Sequence, residues 1–124
     1  MKTIMLIDDD ATTNYLNKLV IEKAGLVNEV VVYDSADVAL TYLKTGKAAN
    51  LLILLDVNMP TTNGWEFLVK FAEIKPRPDV HIVMLTSSIN PHDKEKAEGN
   101  PNVEEYRSKP LSVDVIKELV TSYL

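Results

Sequence analysis

Apolar residues in this chain follow two rhythms, and the rhythms alternate. Short unbroken runs occur at Ile4-Met5-Leu6-Ile7, Val30-Val31-Val32-Tyr33, Leu51-Leu52-Ile53-Leu54-Leu55 and His81-Ile82-Val83-Met84-Leu85. Runs of this length bounded by turn-forming residues predict strands covered on both faces. Between them, apolar positions recur at helical spacing. Leu16, Leu19, Val20 and Lys23 predict the buried side of a first helix, and Ala36, Ala39, Leu40 and Leu43 that of a second. A third helix is expected over residues 64 to 74, burying Leu68, Phe71 and Ala72, and a last one carries Ile116, Leu119, Val120 and Tyr123. Residues 103 to 108 form the most polar predicted strand, so they belong at a sheet edge.

Stop and start signals fall where these rhythms change. Asp10 can cap the first helix and Gly25 ends it; Asp34 or Ser35 can cap the second and Gly46 ends it. Asn63 and Ser112 are caps for the third and last helices. Lys75-Pro76-Arg77-Pro78-Asp79 is a stiff connector that cannot continue a helix. Asn90-Pro91 opens a short polar helix, with Asn as the cap and Pro at the first helical position, and Gly99-Asn100-Pro101 closes it. The order is therefore strand-helix repeated five times. That alternation predicts an α/β fold, a parallel sheet of five strands with helices on both faces in three layers, because each crossover must pack back on the sheet. The expected strand order is 2-1-3-4-5, and residues 1–124 are expected to form one domain.

Composition narrows the chemistry. The 124 residues carry 13 Lys plus Arg against 18 Asp plus Glu, a formal net charge of −5, which disfavours nucleic acid or an anionic membrane as partner. Without cysteine there are no disulfides, thiolate metal sites or cysteine nucleophiles. No apolar run approaches the roughly 20 residues needed to span a bilayer, and Met1-Lys2-Thr3 enters a strand with no signal-peptide core. A cytoplasmic location is expected.

A parallel sheet gathers all strand carboxyl ends at one edge. Asp8 and Asp9 after the first strand, Asp56 after the third, Thr86 after the fourth and Lys109 after the fifth should therefore meet. A strand-terminal Asp by itself is usually a turn former or a cap, which is the role expected of Asp10. The convergence of four separate positions is what sets the others apart. Clustered carboxylates raise the cost of ionising one another, and a divalent cation relieves that cost. Hard oxygen donors suit Mg²⁺. Carboxylate, Mg²⁺, hydroxyl and ammonium together supply what phosphoryl transfer needs: a nucleophile, a charge clamp and donors to the equatorial oxygens.

These residues match a known pattern. An acidic pair after strand one, Asp-x-x-Met-Pro-x-x-x-Gly from Asp56 to Gly64, Thr86-Ser87 after strand four and Lys109-Pro110 after strand five resemble the receiver domain of response regulators in two-component systems, of the single-domain, chemotaxis-regulator kind. The resemblance runs from Ile4 into the last helix and implies a flavodoxin-like (βα)5 fold. It implies that Asp56 is the phosphoacceptor, taking its phosphoryl group from a phosphohistidine on a sensor histidine kinase or a histidine phosphotransfer protein. Asp8, Asp9, Asp56 and the backbone carbonyl of Asn58 are implied Mg²⁺ ligands. Lys109 is similar to the lysine that pairs with the phosphoryl group, Thr86 to the switch hydroxyl, and Tyr106 to the aromatic that turns inward with it. The Lys109–Pro110 peptide is expected to be cis. Readout is expected on the helix from Pro91, strand five and the last helix, through a downstream protein and without direct DNA or membrane binding. Asn58 and Ser88 occupy positions that tune phosphate lifetime in such domains. The protein is expected to gain and lose its own phosphate and not to be a turnover enzyme.

Two features depart from the commonest pattern. Gly99-Asn100-Pro101-Asn102 stands where Gly-Ala often precedes strand five, and the preceding helix is short and strongly charged. Three rival readings are weaker. A Mg²⁺-dependent aspartyl-phosphate hydrolase of the haloacid-dehalogenase type needs a second acid where Asn58 stands. A flavodoxin-like FMN carrier needs a phosphate-cradling loop where Asp8-Asp9-Asp10 would repel phosphate. A non-phosphorylated interaction module has no reason to keep the acids, Thr86 and Lys109 together. His81 and His92 are expected to be structural and exposed respectively, Met59 a packing residue, and Trp65 and Phe67 core or rim.

Overall fold

The computed structural model describes residues 1–87 and 90–124. Its elements alternate strictly: β1 (Thr3–Ile7), α1 (Ala11–Ala24), β2 (Glu29–Tyr33), α2 (Ala36–Leu43), β3 (Leu51–Asp56), α3 (Gly64–Ala72), β4 (Val80–Thr86), α4 (Pro91–Glu98), β5 (Glu105–Ser108) and α5 (Val113–Tyr123). All pairings are parallel and the strand order is β2-β1-β3-β4-β5, as the alternation predicts. β1 and β3 are buried along their whole length. Their side chains alternate between two cores. Met5, Ile53, Leu55 and Met84 join Ala39, Leu43, Phe67 and Phe71 on one face. Ile4, Leu6, Leu52, Leu54 and Val83 join Ile21, Ile116 and Leu119 on the other. At roughly 25 cal/mol per Å² of apolar surface removed from water, these two layers supply the main force holding the sandwich together.

The caps are largely those the sequence signals. Asp10, Asn63, Asn90 and Ser112 each accept a backbone N–H in the first turn of their helix. Asn63 and Glu66 complete a reciprocal capping box. Ser35 stands at the α2 N-cap, though its side chain makes no capping bond. Gly25 ends α1 with φ +66, a left-handed conformation that costs a side-chain-bearing residue but not glycine.

Four details differ from the sequence-based expectation. Leu16 and Leu19 are not the buried side of α1: they are 54% and 46% exposed, and Asn14, Asn17 and Ile21 face inward. The helix is rotated this way where the Asn14 amide bonds the end of β1. α3 stops at Ala72, and Ala72 itself is exposed while Phe67 takes a core position. β5 begins at Glu105 and not at residue 103, consistent with a polar edge strand bonded on one side only. Lys109–Pro110 is cis as expected, and Lys75–Pro76 is cis as well.

Candidate functional site

The site grows from the end of β1. The Asp8 N–H continues the ladder by donating to Tyr33 O at 3.1 Å. Beyond it the chain turns, and the turn is closed by its own acids. Asp8 Oδ1 accepts from the Asp10 N–H at 2.9 Å, and Asp10 Oδ1 accepts from the Thr12 and Thr13 N–H groups at 2.9 and 3.2 Å. The Thr13 N–H bond is the main reason the Asp10 carboxyl is held below its ordinary pKa. Asp10 is thus committed to its helix, and Asp8 is left buried, 5% exposed.

Asp56 arrives from the centre of the sheet. Five fully apolar residues make β3 rigid, and the strand delivers Asp56 8% exposed at its carboxyl end. The loop beyond it is folded back tightly: Gly64 N–H donates to Val57 O at 2.9 Å. A Cβ on Gly64 would lie 2.8 Å from the Asp56 carbonyl oxygen, so only glycine allows α3 to start there.

Lys109 closes the group from the far side. Its Nζ donates to Asp8 Oδ2 at 2.7 Å and to Asp56 Oδ1 at 3.2 Å. Its backbone N–H donates to Thr86 O at 2.6 Å, tying the end of β5 to the end of β4, where Thr86 is buried. Carboxylate oxygens of Asp8, Asp9 and Asp56 all lie within 4.8 Å of one another, close enough to share one cation. Asp9 is the exposed member. Burial first, then the charge of Asp8, pushes the Asp56 carboxyl above its usual range, with Lys109 working against both. For Lys109, burial favours the neutral amine but is outweighed by the bond to Asp8 and the two carboxylates, so its pKa is raised. The lysine stays a cation. Three hard carboxylates around one point, partly uncompensated by a single lysine, fit a divalent metal of the Mg²⁺ type.

The structure therefore brings Asp8, Asp9, Asp56, Thr86 and Lys109 to one edge. Asn58 is exposed in the loop two residues beyond Asp56. Tyr106, opposite Met84 in the β4–β5 register, is half-buried against the core, and its hydroxyl is buried with no hydrogen-bond partner among the described residues. Ser88 lies outside the described residues. A cavity of about 370 Å³ lies at the amino ends of the strands, lined by Met5, Val31, Tyr33, Tyr42 and Leu51 among others, away from this chemistry.

Three arrangements were not anticipated from the sequence. Asn14 donates from Nδ2 to the Asp8 carbonyl at 2.7 Å in a buried setting. Thr62 is buried in the loop after Asp56 and donates to Asp37 at 3.1 Å, while Lys70 meets the same carboxylate at 3.3 Å. Lys96 of α4 sits 4.5 Å from the centre of the Trp65 ring on α3. A polar residue on a helix carries no sequence signal of which way it faces, and pairs 25 or 33 residues apart carry none of their contact.

A five-stranded parallel α/β sandwich in the order 2-1-3-4-5, with acids, a hydroxyl and a lysine at its carboxyl edge, is the doubly wound architecture that binds its ligands at that edge. The family model described as the response regulator receiver domain matches residues 4–121. The chain belongs to the response regulator receiver domain family of two-component systems. Response regulator Rcp1 of Synechocystis is 33% identical over 100 residues, covering 74% of this chain and 66% of that protein. The structure of a two-component response regulator from Cytophaga hutchinsonii shares 32% identity over 99% of this chain and 96% of its own, with a TM-score of 0.89. A response regulator receiver protein from Dyadobacter fermentans gives a TM-score of 0.90 at 25% identity over 99% of this chain and 98% of its own. Among the described residues, no helix is long and apolar enough to cross a membrane.

Proposed function

We propose that residues 1–124 act as one cytoplasmic receiver domain in which Asp56 accepts a phosphoryl group from a phosphohistidine on a sensor histidine kinase or histidine phosphotransfer protein. The observation that supports this most directly is the Lys109 Nζ bridging Asp8 and Asp56 beside a third carboxylate. One Asp56 oxygen attacks phosphorus, the P–N bond breaks, and its electron pair returns to the imidazole. Burial makes the Asp56 carboxylate more basic than an ordinary one and so a better nucleophile. Asp8, Asp9, Asp56 and the backbone carbonyl of Asn58 would hold Mg²⁺, which supplies a Lewis acid to offset phosphoryl charge. Lys109 exchanges its bond to Asp56 Oδ1 for one to a phosphoryl oxygen, keeping its hold on Asp8.

The acyl phosphate places added charge and strong acceptors beside Thr86. The Thr86 hydroxyl turns toward them, and Lys109 N–H on Thr86 O transmits the adjustment to the start of the β5–α5 connection. Tyr106 already packs inward with its hydroxyl buried, so phosphorylation is expected to hold it there and to select one arrangement of the α4–β5–α5 face. That face then binds a downstream protein. The carboxylate at the position needed by a dehalogenase-type hydrolase is replaced by Asn58, which favours slow loss of the protein's own phosphate over turnover of others. The protein should incorporate phosphate from acetyl phosphate with Mg²⁺, measured by intact mass, and Asp56→Asn should abolish it. Incorporation at the wild-type level in Asp56→Asn would sink this reading and favour an interaction module that signals without phosphate on Asp56.

A further inference from the structure

Asn14 presents a problem that packing does not solve. It is 4% exposed on the inward side of α1, where an apolar residue would join Ile21 in the core. Its Nδ2 is used, donating to the Asp8 carbonyl at 2.7 Å, but its Oδ1 is buried with no partner among the described residues. A buried acceptor without a partner is destabilising, and turning the amide over would set Oδ1 against the Asp8 carbonyl. The side chain therefore makes sense only through its donor.

The atom it holds is informative. The Asp8 carbonyl belongs to the peptide unit that joins Asp8 to Asp9, so fixing its direction fixes where the chain carries the Asp9 side chain. The other neighbours restrain different atoms. Tyr33 O holds the Asp8 N–H, Asp10 N–H holds Asp8 Oδ1, and Lys109 holds Asp8 Oδ2. Asp9 is the exposed member of the trio, and the peptide leading into it is held through Asn14. Asn14 is in turn anchored, since its own N–H donates to Asp10 O at 3.0 Å as the first helical bond of α1.

We propose that Asn14 is a positioning residue for the divalent-cation site: its buried amide presets the Asp8–Asp9 peptide so that both carboxylates face one ion before the ion arrives. The inference rests on the reading of Asp8, Asp9 and Asp56 as cation ligands. Groups that orient ligands without touching the metal change affinity by about 10–100-fold when removed. An energetic signature separates this from an ordinary structural role. A structural Asn would lower stability when replaced and leave the affinity of the folded protein alone. A positioning Asn weakens the ion in the folded protein whatever its effect on stability, because Leu removes the orphaned Oδ1 but also takes the donor from the Asp8 carbonyl.

The test is calorimetric titration of the whole chain with MgCl2 alone, beside thermal unfolding and amide exchange of residues 8–10 in metal-free protein. Asn14→Leu should weaken Mg²⁺ about 10–100-fold in a chain that still unfolds cooperatively, and speed exchange at Asp10, whose N–H is bonded to Asp8 Oδ1. Asn17→Leu, on the same buried side one turn along, should leave Mg²⁺ affinity unchanged. If Leu at 14 prevents folding, Asn14→Ser removes the reach of the amide at a position that borders an open surface cavity, and the same loss is expected. Affinity within twofold of wild type in the folded variant, or an equal loss in Asn17→Leu, overturns the proposal. A wild-type chain that takes up no Mg²⁺ instead overturns the cation reading on which it rests.

Discussion

Two helices, α1 and α5, pack beside each other on the same face of the sheet and are built on opposite principles. In α5 the apolar stripe is the buried stripe: Ile116, Leu119 and Val120 are all inside. In α1 the larger apolar residues point outward, with Tyr15 at 64% exposed beside Leu16 and Leu19, and two asparagines point inward with Ile21. Helix stability in proteins comes mostly from burying an apolar face. α5 follows that rule, while α1 surrenders part of it next to the acids. The difference separates an element that holds the fold from one that also bonds the chain at the acids.

The largest effect should come from α5. Leu119 is fully buried in the core beneath β1, β3 and β4. Leu119→Ala should cost about 2–5 kcal/mol, the transfer term plus the cavity left behind. Urea unfolding would measure it as a shift of midpoint at constant slope. A loss under about 1 kcal/mol would mean that this side of the sandwich collapses onto the gap, and α5 would then be no more essential to the core than α1.

This contrast also marks how far the sequence could be read. Strands β1 and β3 were legible because both faces are covered and Ile4 to Ile7 and Leu51 to Leu55 are unbroken apolar runs, so no choice of facing arises. α2 and α5 were legible because the apolar residues that repeat at helical spacing in each are the buried ones. α1 has apolar residues on two sides, and periodicity cannot choose between them; the choice is made where Asn14 meets Asp8, a tertiary contact. The acids followed the same logic. Parallel topology alone carries Asp8, Asp56, Thr86 and Lys109 to one edge, so they could be gathered from strand ends. Asn14 reaches the site from a helix side, Thr62 ties the loop after Asp56 to Asp37, and nothing in their spacing places them.

A smaller effect concerns how α5 is fastened to the edge strand. The Tyr123 hydroxyl donates to Glu105 Oε2 at 2.5 Å, and Arg107 meets Glu105 at 2.7 Å and Glu118 at 2.8 Å. Burial, then the bond to Glu105, pushes the Tyr123 hydroxyl from 10.0 up to about 12. A pKa raised in the folded state means stability fully present below the unfolded value and lost as pH climbs through the folded one. The Tyr123 contribution should therefore fade between about pH 10 and about 12. The melting temperature of wild type should fall more steeply over that window than that of Tyr123→Phe. Parallel curves would show that α5 is held by its apolar stripe alone.

The smallest expected effect is the sharpest test of the contrast. If α1 truly shows its large apolar residues to water, removing them should hardly matter. Leu16→Ser and Leu19→Ser should each change stability by no more than about 0.5 kcal/mol, the range of surface substitutions away from special features. The same replacement at Leu119 would be severe, because Leu119 has no access to solvent. A loss of about 2 kcal/mol at Leu16 or Leu19 is outside what a free surface allows. Combined with a melting temperature that rises with protein concentration, it would mean that a second copy covers α1 in solution. α1 would then bury its apolar stripe after all, against a partner instead of the sheet, and the asymmetry between the two helices would lie in what each is buried by.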